Sequence, residues 1–340
     1  MGLAAGIEVT RACNFRCEHC FVDAGRRGKD ELSGEELRAL IDELACAGAD
    51  TVAWSGGEPL LRRDLDELTR HAKSRGMEVG LATNGFFGTR ERLTRLANAG
   101  LDLIQVSVDG PDPQRAERYR KGPRGAFERA LTALRESAKL GITPVVCSLF
   151  SPETASEIEE MIAFSRSLGA RMLRYTMWAP VGRAEGGRYD ERAWKRPAVR
   201  RFLEVAAAWR GARELDVIID CPTGLLPGQP GFQCYAGSAA IYVCSTGEVY
   251  PCTALMTPEY LVGNVRERPV GEILRDRRMS RIHSQLRRKP AGRCARCSRL
   301  EVCNGGCPGR TLAASGDVRA EAPACLWRLH ARRAPARARG

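Results

Sequence analysis

Apolar positions follow two alternating rhythms through the first 210 residues. Short apolar or β-branched runs read as strands: Ile7–Thr10, Thr51–Trp54, Met77–Ala82, Leu101–Val108, Ile142–Leu149 and Arg171–Met177. Between them, apolar residues recur three and four apart. Leu37, Leu40, Ile41 and Leu44 line one helical face, opened by a Ser33/Glu36 capping box and stopped at Gly48. The same period predicts helices over 64–75, up to Gly100, over 127–140 and over 153–168. Six βα units follow, which imply a parallel sheet with helices outside. Chemistry in such sheets gathers at the carboxyl ends of the strands. Those ends carry a cysteine loop, then Ser55-Gly56-Gly57-Glu58-Pro59, then Thr83-Asn84-Gly85, then Ser107–Gly110.

The rhythm fades after residue 210, where Pro222, Gly224, Pro227, Gly228, Pro230 and Gly231 crowd together. Residues 211–328 therefore read as a second, loop-rich domain without long amphipathic helices, organised by metal. Residues 329–340 read as a basic tail, with Arg332, Arg333, Arg337 and Arg339 but no apolar period, and are expected to be disordered.

Composition narrows the class. A chain of 340 residues, 44% hydrophobic and 28% charged, can bury a large core and suits a globular protein. No segment approaches a membrane span, and Met1–Thr10 has no secretory pattern, so a cytoplasmic location is expected. In a reducing compartment, 14 cysteines point to metal ligation rather than disulfides. The net charge of +12 raises nucleic acid as a partner. The arginines are scattered among acids, however, and aromatics are only 6%, so stacking platforms are scarce and nucleic acid is disfavoured.

Ten cysteines form two spaced sets. Cys13, Cys17 and Cys20 follow C-x3-C-x2-C; Cys234, Cys252, Cys294, Cys297, Cys303, Cys307 and Cys325 form the second. Such spacings hold soft metals or iron–sulfur clusters. Three thiolates leave one iron of a four-iron cluster open, which makes a reaction site. The rival is a zinc ion with His19 as its fourth ligand. Gly56 and Gly57 permit close backbone approach to a ligand. Asn84, Ser107 and Asp109 offer polar groups suited to an amino-acid head group and a ribose. Cys46 and Cys147 fall in helix and strand patterns and read as small buried hydrophobes.

At these residues the chain resembles the radical SAM superfamily. Cys13-Asn14-Phe15-Arg16-Cys17-Glu18-His19-Cys20 matches its cysteine loop, with His19 at the aromatic position, and Gly56-Gly57-Glu58-Pro59 matches its GGEP turn. The resemblance implies an α/β fold: a partial (βα)6 TIM-like barrel whose three cysteines hold a 4Fe–4S cluster. The open iron takes S-adenosylmethionine (AdoMet), and one electron cleaves it to a 5′-deoxyadenosyl radical that abstracts hydrogen from substrate. It places Gly56, Gly57 and Glu58 at the methionine amino group. Ser107, Asp109 and Asn84 would lie near the ribose, and His19 or Phe21 near adenine. The second set resembles the SPASM extension, which holds two auxiliary 4Fe–4S clusters. Cys294, Cys297, Cys303 and Cys325 would hold one, and Cys234, Cys252 and Cys307 the other. Its fourth ligand is Cys221, Cys244 or an open position. A hairpin read over Ile241–Tyr250 sets Cys244 near the turn, away from Cys252, which favours Cys221.

The resemblance also implies a reductant such as flavodoxin or ferredoxin. Oxidation or cross-linking of a peptide or protein side chain is the expected reaction. The alternative is a dehydrogenase, epimerase or related enzyme of a sugar, aminocyclitol or tetrapyrrole. With the first cluster cysteine at position 13, a fused leader-binding domain is not expected, though a separate leader-binding protein could serve. Thr253 stands where sulfatase-maturating relatives carry an Asp base, which counts against that activity.

Overall fold

A computed structural model describes residues 2–185, 190–220, 234–287 and 290–330. Seven parallel strands form the centre: β1 (Leu3–Glu8), β2 (Ala49–Ser55), β3 (Glu78–Thr83), β4 (Leu103–Ser107), β5 (Thr143–Phe150), β6 (Met172–Met177) and β7 (Asp216–Ile219). Helices α1 (Gly34–Cys46), α2 (Leu65–Ser74), α3 (Arg90–Ala99), α4 (Pro113–Ala116), α5 (Ala126–Lys139) and α6 (Ile158–Ser167) lie between the first six. The α1 capping box forms as expected: the Glu36 amide donates to Ser33 Oγ and the Ser33 amide donates to the Glu36 carboxylate.

The strand register sorts the two faces. Ile7, Trp54, Leu81 and Ile104 lie side by side and are fully buried against the helices. Since side chains alternate along a strand, Gly6, Ala53, Gly80, Gln105, Ser107, Cys147 and Arg174 lie on the opposite, inner face.

Four features depart from the sequence reading. The seventh strand, β7, lies past residue 210 and completes the run after α7 (Glu191–Trp194) and α8 (Pro197–Ala208). The cysteine-rich segment continues the same sheet: β8 (Ala240–Val243) pairs in parallel with β1, and β9 (Glu248–Tyr250) and β10 (Gly263–Asn264) extend it. That segment is also less loop-like than expected. It carries α9 (Val270–Arg275), α10 (Arg277–Leu286), α11 (Leu300–Cys303) and α12 (Pro308–Ser315), and α10 buries Met279, Ile282 and Leu286. A last helix, α13 (Leu326–His330), enters the stretch read as a disordered tail, whose residues 331–340 lie outside the described ones.

Candidate cluster and cofactor site

The loop after β1 carries Cys13, Cys17 and Cys20 and is held from four directions. The Cys13 amide donates to Gly25 O at 2.9 Å, which folds the loop back on itself. The Arg16 and Glu18 amides donate to Lys121 O and Tyr119 O, both at 2.9 Å. After β6, the Arg183 amide donates to Cys20 O at 2.9 Å, and its guanidinium donates to Cys17 O at 2.7 Å, to Asp23 at 2.8 Å and to Ala24 O. The fourth hold is the turn after β2. The Gly57 and Glu58 amides donate to Thr10 O and Ala12 O, each at 2.8 Å. A Cβ on Gly57 would lie 2.3 Å from Ala12 O, and one on Gly56 2.3 Å from Thr10 O. The close approach expected of these glycines is thus made to the cysteine loop itself.

Glu58 faces inward. Its fully buried carboxylate accepts from Thr83 Oγ1 at 2.6 Å, the Asn84 amide at 2.8 Å and the Leu60 amide at 2.9 Å. Burial pushes its pKa up. Its carboxylate therefore ties the end of β3 to the turn rather than reaching out to a ligand. Asn84 is drawn to the loop: its side-chain amide donates to Asn14 Oδ1 at 2.9 Å and lies 4.0 Å from Cys13 Sγ.

Asp109, expected near the ribose, lies at the end of β4. It is buried, accepts from the Leu149 amide at 2.8 Å and pairs with Arg120 at 2.7 Å. Burial opposes the charge on Arg120, but Asp109 and the neighbouring Cys17 raise its pKa. Arg120 is the residue that sequence reasoning missed. It lies on an irregular segment with no periodic signal, and only the fold sets it between Cys17 and the end of β4. Together with Asn84, Ser107 and Phe15 it lines a small cavity.

His19 lies 3.9 Å from Asp109 with its ring edge-on to Tyr119. Burial and the adjacent Arg120 lower its pKa to about 4, so it is neutral near pH 7. The Phe21 ring packs edge-on against Tyr242 of β8, 6.3 Å between centroids. Cys147 is buried as expected, on the inner face, whereas Cys46 is exposed because it closes the last turn of α1.

The thiols fall into three neighbourhoods. Cys13 shares its electrostatic environment with Cys17 and Cys20, and burial pushes its pKa up to about 12. Cys234 is grouped with Cys252 and Cys307, and burial raises it to about 11. Cys303 neighbours Cys325 and Cys294, and Cys325 neighbours Cys294 and Cys297. Cys244 stands apart: its charged neighbours are Glu8, Glu248 and Arg11, and its sulfur lies 3.9 Å from Met256 Sδ. The expected hairpin forms, with Tyr242 opposite Tyr250. Cys221 lies outside the described residues. Buried thiols resist ionisation unless a cation compensates, which is what iron supplies. Among the described residues, no three His, Cys, Asp or Glu side chains converge on a point where one metal ion could sit.

The Radical SAM superfamily model matches residues 7–165, and the SPASM iron-sulfur cluster-binding domain model matches residues 234–298. An AdoMet-dependent heme synthase of Methanosarcina barkeri is 31% identical over 94% of this chain and 95% of its own length. The chain belongs to the radical SAM superfamily. A PqqA peptide cyclase of Rhizobium meliloti is also 31% identical, over 94% of this radical SAM chain and 85% of its own. A mycofactocin maturase of Mycolicibacterium smegmatis is 30% identical, over 88% and 76%. The solved structure of native anSMEcpe with bound AdoMet shares the fold, with a TM-score of 0.78 at 18% identity over 96% of this chain and 95% of that one. The protein is a radical SAM enzyme with a SPASM iron–sulfur region.

Proposed function

We propose that this enzyme removes hydrogen from an unactivated C–H bond of a peptide or protein side chain and passes an electron to two auxiliary clusters, giving an oxidised or cross-linked product. The observation that carries the oxidation is the separate grouping of Cys234, Cys252 and Cys307 and of Cys294, Cys297, Cys303 and Cys325. Cofactor cleavage needs neither group, but a substrate radical one electron short of product needs an acceptor. Cys13, Cys17 and Cys20 would hold the first cluster, and Cys221 is the fourth ligand assigned beside Cys234, Cys252 and Cys307. A 4Fe–4S cluster held by Cys13, Cys17 and Cys20 with AdoMet would supply the radical chemistry that removes hydrogen from the substrate.

The chain's own residues orient that chemistry. Arg120, fixed by Asp109, sets a permanent positive charge beside Cys17 and binds the AdoMet carboxylate. Ser107 and Asn84 line the same cavity as hydrogen-bonding partners for the cofactor. Neutral His19 and Phe21 provide flat surfaces for adenine. The peptide reading is supported by the relative named as a peptide cyclase.

A second reading, a carboxylate-bearing tetrapyrrole, is favoured by Arg174. This half-exposed guanidinium stands on the inner face, pairs with Asp220 at 2.6 Å and donates to Gln105 at 2.9 Å. Relatives named AdoMet-dependent heme synthase and Fe-coproporphyrin III synthase support it too. Anaerobic incubation with AdoMet, dithionite and either a genomically adjacent peptide or iron coproporphyrin III decides between them by mass spectrometry. A product two hydrogens lighter supports oxidation. Unchanged mass with solvent deuterium incorporated overturns it in favour of epimerisation.

A further inference from the structure

Helix α12 starts directly after Cys307 and carries a buried cation. Cys307 is its N-cap, and Pro308, Gly309, Arg310 and Thr311, its first four residues, are all buried. Gly309 permits this close packing. A Cβ there would lie 2.5 Å from Ala254 Cβ and 2.9 Å from Ala254 O, so α12 is pressed onto the turn that follows Cys252. The Thr311 amide and hydroxyl both donate to Cys307 O at 3.0 Å, which fixes the first helical turn behind that thiol.

Arg310 is only 7% exposed. Its guanidinium lies against the end of β6, with Nη1 3.2 Å from Met177 Sδ. The same side chain lines a small cavity together with Cys303, Cys307 and Cys325. Those three thiols belong to two different neighbourhoods. Cys303 and Cys325 belong to one, and Cys307 belongs with Cys234 and Cys252 to the other. One guanidinium therefore stands where the two auxiliary groups of thiols come together.

Arginine keeps its charge when buried, and a charge in a low-dielectric interior is scarcely screened by salt. Local charge, hydrogen bonding and exposure set the reduction potential of an iron–sulfur cluster. A fixed cation favours the reduced state, which carries one more negative charge. We propose that Arg310 raises the reduction potentials of both auxiliary clusters and so poises them to take an electron from the substrate radical. It acts through the clusters rather than on the substrate. This role rests on the reading that assigns one cluster to Cys234, Cys252 and Cys307 and the other to Cys294, Cys297, Cys303 and Cys325. The balance is one electron from the substrate radical to an auxiliary cluster and one proton to solvent, leaving the oxidised product.

The test compares the full, anaerobically reconstituted protein with Arg310→Lys, Arg310→Gln and Arg310→Met. Iron content and circular dichroism are measured first. A potentiometric titration followed by electron paramagnetic resonance then reads each cluster's midpoint and needs no substrate. In Arg310→Gln and Arg310→Met both auxiliary midpoints should fall by at least about 59 mV, a tenfold change in a one-electron equilibrium. Arg310→Lys keeps the charge and should lose less than about half of that. The first cluster should move least. Unmoved auxiliary midpoints in the two uncharged variants, or an equal fall at all three clusters, would overturn the proposal. Loss of auxiliary iron from both uncharged variants would also overturn it, because Arg310 would then hold the fold rather than the potential. An unaltered protein with about four irons instead of about twelve would show that the cluster assignment itself fails, and the tuning role with it.

Discussion

Single residues decide how tightly the first cysteine loop is held. Gly57 has no room for a side chain, since a Cβ would meet Ala12 O at 2.3 Å, and that oxygen is backbone that cannot swing away. Gly57→Ala is expected to displace the loop, lower bound iron by about four atoms per chain and abolish AdoMet cleavage. Iron analysis alongside 5′-deoxyadenosine detection checks it; retained iron and turnover would contradict it. Arg120 and Asp109 form a buried pair, so removing one partner alone strands a charge. The informative variant is the double Arg120→Gln/Asp109→Asn, which removes both charges. It should keep its fold by circular dichroism yet bind AdoMet about 10–100-fold more weakly, the scale of one lost charge-assisted hydrogen bond. Unchanged AdoMet affinity would reduce Arg120 to a packing role.

Among elements, helix α1 is tied to the SPASM region by the Arg266–Glu36 ion pair at 2.6 Å and by the Val270 amide, which donates to Glu43 at 2.7 Å. Arg266 first, then the Ser33 amide, holds Glu36 down to about pKa 2 from an ordinary 4.5. A depressed carboxylate contributes stability above its unfolded pKa and loses it as pH falls through the folded one. The contribution is therefore complete above about pH 4.5 and gone below about 2. Both partners are more than a third exposed, so solvent screening keeps it under about 1 kcal/mol. Glu36→Gln should flatten that part of the pH dependence in thermal melts and leave stability above pH 5 only slightly lower. The β8–β9 hairpin makes a sharper prediction. With Tyr242 opposite Tyr250, Cys244 lies beyond the paired strand and beside Glu8 and Arg11. Cys221→Ala should perturb an auxiliary-cluster spectrum and lower turnover, while Cys244→Ala does much less. The opposite ranking would assign Cys244 as the ligand.

For the whole molecule, the proposed assignment of the three thiol neighbourhoods to three four-iron clusters makes a prediction about metal content. Anaerobically prepared protein should hold about twelve irons, and changing Cys13, Cys17 and Cys20 together to Ala should leave about eight while abolishing AdoMet cleavage. Stoichiometric zinc with little iron would refute this. The parallel pairing of β8 with β1 brings the SPASM segment against the first strand. Tyr242 of β8 packs over Gly6 and against Phe21, so the two cysteine regions meet through side chains as well as backbone.

Features that depend on neighbours along the chain could be read before folding. The capping box at Ser33, the apolar period of α1, the alternation of strands and helices and the cysteine spacings are all local, and all were legible. The fold class followed because parallel strands joined by helices admit few arrangements. Features that depend on residues far apart in the chain emerged only on folding. Nothing near Ala240–Val243 encodes its pairing with Leu3–Glu8, because backbone hydrogen bonds carry no residue code. Gly57 proved to accommodate the cysteine loop's own backbone, and Glu58 to turn its carboxylate inward, because Thr10, Ala12, Thr83 and Asn84 arrive from other elements. Arg120 emerged for the same reason: a buried cation is specified by its counter-charge, and Asp109 and Cys17 become its neighbours only once the chain has folded.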